Sequence, residues 1–70
     1  MKDNLTKGER AVMNSLKEYI LEYNKPPFKK ELYRLTPHTE SYFYTIMTQL
    51  KRKGVVKEEK VGAKTYVELI

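Results

Sequence analysis

The sequence lacks cysteine and tryptophan and contains a single histidine, His38. The absence of cysteine excludes disulfide bonds and thiolate metal sites, and it is typical of proteins from a reducing cytosol. One histidine cannot by itself form a zinc site or a histidine-based catalytic relay. The N-terminal sequence MKDNLTKGER is charged and no apolar run follows it. We therefore expect neither a signal peptide nor a membrane span, and we predict a cytoplasmic protein.

The sequence signals of a catalytic site are also missing. No Ser/His/Asp set, no cluster of metal ligands and no glycine-rich phosphate loop is present, and the three glycines are far apart. A chain of 70 residues has room for one compact core but hardly for a deep cleft. We therefore predict a single domain over residues 1–70 that is not an enzyme and needs no metal or cofactor. His38 is predicted to lie in a solvent-exposed turn.

What the chain does have is positive charge, with a formal net charge of +5. Residues 1–35 carry eight Lys or Arg against five acids, and residues 36–70 carry six against four. The surplus is therefore spread along the chain and is not concentrated in a basic tail. Many basic proteins bind no polyanion, but this distribution favours a folded surface that does.

Proline and glycine divide the chain into four pieces. The first begins with Thr6 and Glu9 at the spacing of a capping box, which predicts a helix over residues 7–23. Its predicted apolar stripe is Val12, Leu16, Tyr19, Ile20 and Tyr23, with Met13 and Leu21 off-centre.

A pair of prolines precedes the second piece and cannot lie inside a helix, although the second of them can begin one. Phe28, Leu32 and Leu35 then recur at helical spacing and predict a helix of about two turns. The proline after Thr36 ends this helix, because the residue before a proline is disfavoured in the α region.

The third piece, HTESYFYTIMTQLKRKG, has three aromatic residues near one end and three cations near the other. Thr39 is the predicted N-cap of a third helix, and Gly54 is its predicted C-terminal stop. At about 100° per residue, the buried stripe is predicted to be Phe43, Ile46, Met47 and Leu50, and the opposite face Ser41, Thr45, Thr48 and Arg52, flanked by Tyr42, Tyr44 and Gln49.

The last piece contains two β-favouring runs, residues 55–60 and 65–70, joined by a short turn that contains Gly62. Such a pattern predicts a β-hairpin. Three helices followed by a hairpin is the element order of a winged helix-turn-helix. The predicted fold class is therefore α+β, mainly α, with three helices and a two-stranded wing.

A series of short motifs extends over about residues 5–70, namely Leu5–Thr6, Tyr19–Ile20, Pro26–Pro27, Glu31–Leu32, and Leu50 followed by Arg52–Lys53–Gly54–Val55–Val56. In residue type and spacing they resemble the N-terminal DNA-binding domain of LexA repressors. The resemblance implies a winged helix-turn-helix whose third helix enters the major groove and whose wing meets the DNA backbone. The chain departs from that family at Phe28, where a capping hydroxyl is usual, and at Tyr33, where a small residue is usual.

The resemblance places the family's base-reading positions at the start of helix 3 on Ser41, Tyr42, Tyr44 and Thr45. The match is one of position only, since the family's Asn and Glu are absent, and it implies a different sequence specificity. Thr48 extends the same face, where short hydroxyl side chains let a helix approach base edges closely. The residues predicted to contact phosphates are Lys29, Lys30, Thr39, Arg52, Lys60 and Lys64.

These features predict a small DNA-binding transcriptional regulator that binds double-stranded DNA as a homodimer or with a partner protein. The alternative is a winged-helix protein-interaction module, such as a phage-type modulator of a host factor or a subunit of a larger complex. The tyrosines, the wing acids Glu58 and Glu59, and Glu40 at the start of helix 3 favour this alternative. A third interpretation is that the polar face and residues 51–53 are simply solvated helix surface.

Overall fold

The computed structural model describes residues 5–70. Three helices precede an antiparallel two-stranded hairpin, which confirms the predicted fold class, an α+β and mainly α winged helix-turn-helix. The elements are α1 (Lys7–Tyr23), α2 (Lys29–Arg34), α3 (Glu40–Arg52), β1 (Val56–Val61) and β2 (Lys64–Leu69).

The N-terminus of α1 is fixed by the predicted capping box. The backbone N–H of Thr6 donates to Oε1 of Glu9 at 2.9 Å, and the N–H of Glu9 donates to Oγ1 of Thr6 at 3.2 Å. Two N–H groups that the first turn would otherwise leave unpaired are thereby satisfied. At the other end, Asn24 adopts the left-handed conformation with a φ of 58° and donates its N–H to the carbonyl of Ile20, which ends the helix.

The buried side of α1 differs in part from the predicted stripe. Val12 and Leu16 are fully buried, but Met13, which the spacing places off-centre, is buried too, with 6% exposure. Tyr23, predicted to lie in the stripe, is 54% exposed. The difference arises because the core covers a wide face over the first part of α1, whereas Ile20 packs only at the edge of the core.

Helix α2 spans about two turns as predicted, but Phe28 and Leu35, whose helical spacing predicted it, lie at its two caps, outside the helix. Phe28 precedes the helix in extended conformation, because it forms a bridge to Tyr66 of β2, with the ring centroids 4.7 Å apart. Its side chain has no acceptor for capping, but the Glu31 carboxylate accepts the Phe28 N–H at 3.1 Å. Leu35 is 53% exposed. Leu32 is therefore the buried core residue of this helix.

Helix α3 begins and packs as predicted. Oγ1 of Thr39 accepts the N–H of Tyr42 at 3.3 Å, so Thr39 is the N-cap. Tyr33 of α2 packs its ring against that of Phe43, with centroids 5.6 Å apart, so the large residue fills the contact between the two helices. The buried stripe is confirmed as Phe43, Ile46, Met47 and Leu50.

The glycine that was predicted to stop α3 belongs to a Schellman motif. Gly54 has a φ of 77°, a left-handed conformation in which a residue with a Cβ is disfavoured. The N–H groups of Gly54 and Val55 donate to the carbonyls of Lys51 and Leu50 at 3.0 and 3.3 Å. The chain therefore passes from α3 directly into the wing.

The wing is a regular hairpin. Its strands pair from Val56 opposite Leu69 to Val61 opposite Lys64, which leaves Gly62 and Ala63 as a two-residue turn. Gly62 has a φ of 63° at the first central position, as a type II′ turn requires. Residues 60–64 are all exposed, so the tip of the wing extends into solvent.

The buried apolar side chains form one cluster to which all three helices and both strands contribute. Because α3 supplies four of its members, the orientation of this helix is set by the core, and its opposite face is turned outward. The cluster consists of Val12, Met13, Leu16, Leu32, Phe43, Ile46, Met47, Leu50, Val56 and Val67.

Candidate nucleic-acid interface

The outward face of α3 carries the side chains that the sequence predicted there. Ser41, Thr45, Thr48 and Arg52 are all exposed and lie opposite the buried stripe. The hydroxyl of Thr45 donates to the carbonyl of Ser41 at 3.2 Å, and that of Thr48 donates to the carbonyl of Tyr44 at 3.1 Å. Both hydroxyls are therefore tied to the helix backbone, so the methyl group is the part of each exposed side chain that no hydrogen bond engages.

Beside this face lies a cleft of about 330 Å³ between the start of α2, α3 and the tip of the wing. The ammonium of Lys64 lies 4.3 Å from the centroid of the Phe28 ring, and that of Lys29 lies 5.0 Å from the Tyr44 ring. These are cation–π contacts, which hold lysine stems against aromatic faces. We call this the basic cleft; its lining residues are Phe28, Lys29, Lys30, Tyr44, Ala63, Lys64 and Thr65.

The basic cleft brings together four of the residues predicted for the site. Lys29 and Lys30 come from α2, Tyr44 from α3 and Lys64 from β2, so residues as much as 35 positions apart meet in one place. Phe28 was not predicted to take part. Its contacts with Tyr66 and Lys64 depend on the wing folding back onto the start of α2, which no local pattern indicates.

Glu58, a wing acid expected to oppose an anionic partner, is neutralised inside the protein. Its Oε2 lies 2.8 Å from the ammonium of Lys29, and its Oε1 accepts from Lys51 at 3.2 Å. Burial alone raises the pKa of the Glu58 carboxyl, but the two ammonium groups outweigh burial and the net pKa lies below its ordinary value. The carboxylate thus stays charged between two lysines, and this part of the surface keeps a positive balance.

The ion pair with Glu58 bears on the prediction that Lys29 contacts a phosphate, because Lys29 already has an anionic partner within the protein. Its ammonium is held by Glu58 and lies over the Tyr44 ring, so it positions α2, α3 and the wing relative to one another. Lys30 is exposed beside it. Within the basic cleft, Lys30 and Lys64 are therefore the cations best placed to reach an external anion.

Tyr44 forms the wall of the basic cleft on the α3 side and is 38% exposed. Its phenol donates to Oε2 of Glu40 at 3.4 Å. Burial raises the pKa of the Tyr44 phenol, and the carboxylate of Glu40 raises it further. Tyr44 therefore stays neutral near pH 7, as a hydrogen-bonding group with an aromatic face.

Tyr42 lies on the other flank of α3 and is 48% exposed. Its ring meets that of His38 edge-on at 4.9 Å, and its Oη would lie 2.6 Å from a Cβ added to Gly8. Tyr42 therefore packs over the first turn of α1, and His38 is half-buried beneath it. The prediction that His38 is a solvent-exposed turn residue is wrong, because the turn folds back against Tyr42.

An ion pair between Lys53 and a buried carboxylate fixes the far end of α3. The ammonium of Lys53 donates to Oε1 of Glu9 at 2.6 Å, and Glu9 is only 1% exposed. Burial raises the pKa of this carboxyl, but the hydrogen bonds from Lys53 and Thr6 outweigh burial, and the net pKa lies below its ordinary value. The capping pattern predicted the bond to Thr6, but a partner 44 positions away had no sequence signal.

We expect Glu9 to make folding sensitive to acid. Because its pKa is lower in the folded than in the unfolded chain, Glu9 stabilises the protein fully above its unfolded pKa of about 4.5, and this contribution is lost as the pH falls through the folded pKa. Glu9→Gln keeps an acceptor for the cap but removes the charge, and we expect it to lower the free energy of unfolding at pH 7 by about 1.5–3 kcal/mol.

Urea unfolding of the unchanged protein and of Glu9→Gln, from about pH 3 to 7, measures this difference in the free energy of unfolding. The loss caused by Glu9→Gln shrinks as the pH falls through the folded pKa of Glu9, because the native carboxyl then becomes protonated and loses its charge. The matched control is Glu22→Gln, an exposed glutamate in the same helix. Equal losses at all pH values, or equal losses in the two variants, would contradict the role assigned to the buried carboxylate.

The other predicted phosphate-contacting residues lie outside the basic cleft. Lys60 is exposed on β1 opposite Thr65, near the tip of the wing. Thr39 caps the N-terminus of α3, and Arg52 is the last residue of that helix. Together with the basic cleft, they place polar or cationic groups at both ends of α3 and on the wing.

A second concave surface lies between α1 and α2, with a volume of about 410 Å³. The rings of Tyr19 and Tyr23 are 4.6 Å apart, and the Tyr19 phenol donates to Glu31 at 3.3 Å. Exposed Leu35 adds an apolar edge. We call this the acidic groove; its lining residues are Ser15, Glu18, Tyr19, Glu22, Tyr23, Glu31, Arg34 and Leu35.

Comparison with known proteins finds no relative. No protein-family model matches the chain, and no curated protein and no solved structure matches it. In the part of the chain that the structure describes, no helix is long and apolar enough to cross a membrane. Over the same residues, no three or more acidic or histidine side chains are grouped so as to hold a metal ion.

Proposed function

We propose that this protein is a small DNA-binding transcriptional regulator, similar in its manner of binding to the LexA DNA-binding domain. Helix α3 lies in the major groove with its outward face toward the bases, and the wing follows the phosphate backbone. The observation that carries the proposal is the basic cleft, in which Lys29, Lys30 and Lys64 from two separate elements meet directly beside the outward face of α3.

The chemistry of the two surfaces supports this arrangement. A duplex needs cations for its phosphates and small polar side chains where the protein meets base edges. The basic cleft supplies lysines, and the wing acid Glu58 is already paired with Lys29 and Lys51. The outward face of α3 has Thr45 and Thr48 at its centre, where short side chains let the helix approach base edges closely.

The proposal includes a second protein chain. A single module of this size covers about 600–1,000 Å² of DNA and binds modestly, so regulators of this kind usually act as dimers or with partners. The acidic groove, with Tyr23 and Leu35 each more than half exposed, is the surface proposed for that contact. A homodimer on a palindromic site is the simplest assembly.

The second candidate function is a protein-interaction module with no DNA contact. Exposed Tyr23 and Leu35 in the acidic groove favour it, because tyrosine is a frequent anchor of protein interfaces. Tyr42 and Tyr44 lend it less support, since they lie on opposite flanks of α3 and each packs against its own neighbours. Under this function, Tyr23→Ala and Leu35→Ala are expected to disrupt a protein complex more than Tyr42→Ala and Tyr44→Ala.

Fluorescence anisotropy with labelled random duplex DNA tests the proposal. At about 50 mM salt we expect binding, and between about 50 and 200 mM salt the Kd should rise about 100-fold if four phosphates are contacted. The combined variant Thr45→Ala with Arg52→Ala is expected to weaken this binding, because it removes one phosphate-contacting cation and one side chain of the outward face. No binding of the intact chain at the lower salt would reject the DNA-binding function and leave the interaction module.

A further inference from the structure

The two threonines at the centre of the outward face of α3 are limited in what they can offer a base. Each hydroxyl hydrogen is used in a bond to the carbonyl four residues earlier, Ser41 for Thr45 and Tyr44 for Thr48. A hydroxyl held in this way has lone pairs left but no hydrogen to donate. What each side chain presents outward is a methyl group and an acceptor oxygen.

The edges of the base pairs differ in how well they match such a surface. In the major groove, thymine presents a 5-methyl group, which apolar atoms such as the threonine methyl contact favourably. Guanine presents two acceptors, which need a donor from the protein. The surface formed by Thr45 and Thr48 therefore suits thymine, and adenine amino groups suit the free lone pairs, whereas guanine is left without a donor.

We propose that Thr45 and Thr48 recognise thymine through its 5-methyl group. The inference rests on the proposed DNA binding and specifies what that site selects. Residues three apart on a helix have their Cβ atoms about 5–6 Å apart, and neighbouring base pairs are separated by about 3.4 Å. The two threonines thus contact thymines in neighbouring base pairs.

Ser41 and Arg52 lie at the two ends of the surface formed by Thr45 and Thr48. Ser41 lies one turn before Thr45, and Arg52 lies one turn after Thr48. The guanidinium of Arg52 carries several donors, so it can pair with a guanine or a phosphate beyond the thymines. The preferred sequence is therefore expected to have A·T pairs at its centre, with tolerance for G·C pairs toward the Arg52 end.

Selection from a randomised 20-base-pair duplex library, followed by single-atom changes in the enriched duplex, tests this. Replacing one thymine by uracil removes only the 5-methyl group, and we expect about a fourfold loss of affinity at each of two neighbouring positions. Thr45→Ser and Thr48→Ser remove the protein methyl and keep the hydroxyl, and each should abolish the thymine-over-uracil preference at one position. Thr45→Val and Thr48→Val keep a methyl and should retain it.

The outcomes separate this inference from the proposed function. Salt-dependent binding that shows equal affinity for thymine and uracil at every position would overturn the thymine assignment and leave DNA binding in place. A preference that survives Thr→Ser but is lost in Thr→Val would show that the hydroxyls, not the methyls, make the contact, and would likewise overturn it. Absence of any binding to the library at about 50 mM salt would overturn both.

Discussion

Replacing both Lys30 and Lys64 with glutamate is expected to weaken binding to random duplex DNA by about 100-fold or more at about 50 mM salt. Both lysines line the basic cleft and both are exposed. Removing two phosphate contacts should lower the magnitude of the log–log salt slope by about 1.8, and the introduced carboxylates add repulsion. Anisotropy titrations at several salt concentrations measure both the affinity and the slope.

Lys29 is left unchanged in this variant for a structural reason. Its ammonium holds the Glu58 carboxylate and lies over the Tyr44 ring, so its loss would leave a half-buried carboxylate with Lys51 alone. A reduced affinity could then come from a displaced wing instead of a lost contact. The ammonium of Lys64 lies over the Phe28 ring, and circular dichroism and thermal unfolding show whether replacing Lys64 disturbs the fold.

The matched control changes the same number of charges elsewhere. Lys17 and Lys25 are exposed on α1 and just after it, and neither lines the basic cleft. Each Lys→Glu exchange replaces a positive charge with a negative one and lowers the net charge by two, so both double variants fall from a net charge of +5 to +1. Similar losses in the two variants would mean that overall charge governs binding and that the basic cleft has no special part in it.

The elements of this fold were predictable because their signals are local. The Thr6–Glu9 box, the stripe of α3 and Gly54 each act within a few residues, and each is found where the sequence placed it. The predicted elements were wrong where a contact with a distant part of the chain overrides the local spacing of apolar residues. Phe28 has helical spacing to Leu32, but its bridge to Tyr66 in the wing holds it outside the helix.

In the candidate site too, some features follow from local sequence signals and others depend on contacts between distant chain segments. The outward face of α3 follows from helical periodicity alone, so its residues could be identified in advance. The pairing of Glu58 with two lysines could not, because Lys29 is 29 positions from Glu58 along the chain and nothing near either residue indicates a partner. The consequence is substantial, since an acid expected to repel DNA is instead a neutralised part of the scaffold.

The largest effect on stability is expected for Phe43→Ala. Phe43 is fully buried, and its ring lies 5.6 Å from that of Tyr33 and 5.7 Å from that of Tyr44. Removing such a ring typically costs about 3–5 kcal/mol, a large part of the stability of a domain of this size. We expect the melting temperature to fall by more than about 12 °C, as measured by circular dichroism.

The neighbouring residue Tyr42 provides the control, because an aromatic ring is removed from the same turn of α3 but from a half-exposed position. We expect Tyr42→Ala to cost well under half as much, since the contacts of this ring with His38 and the first turn of α1 are made from a half-exposed position. The comparison also bears on function, because Phe43 anchors the helix that carries Thr45 and Thr48. DNA binding by Phe43→Ala should therefore be lost in parallel with folding as the temperature rises. Equal losses of stability in the two variants would contradict the assignment of the α3 core face.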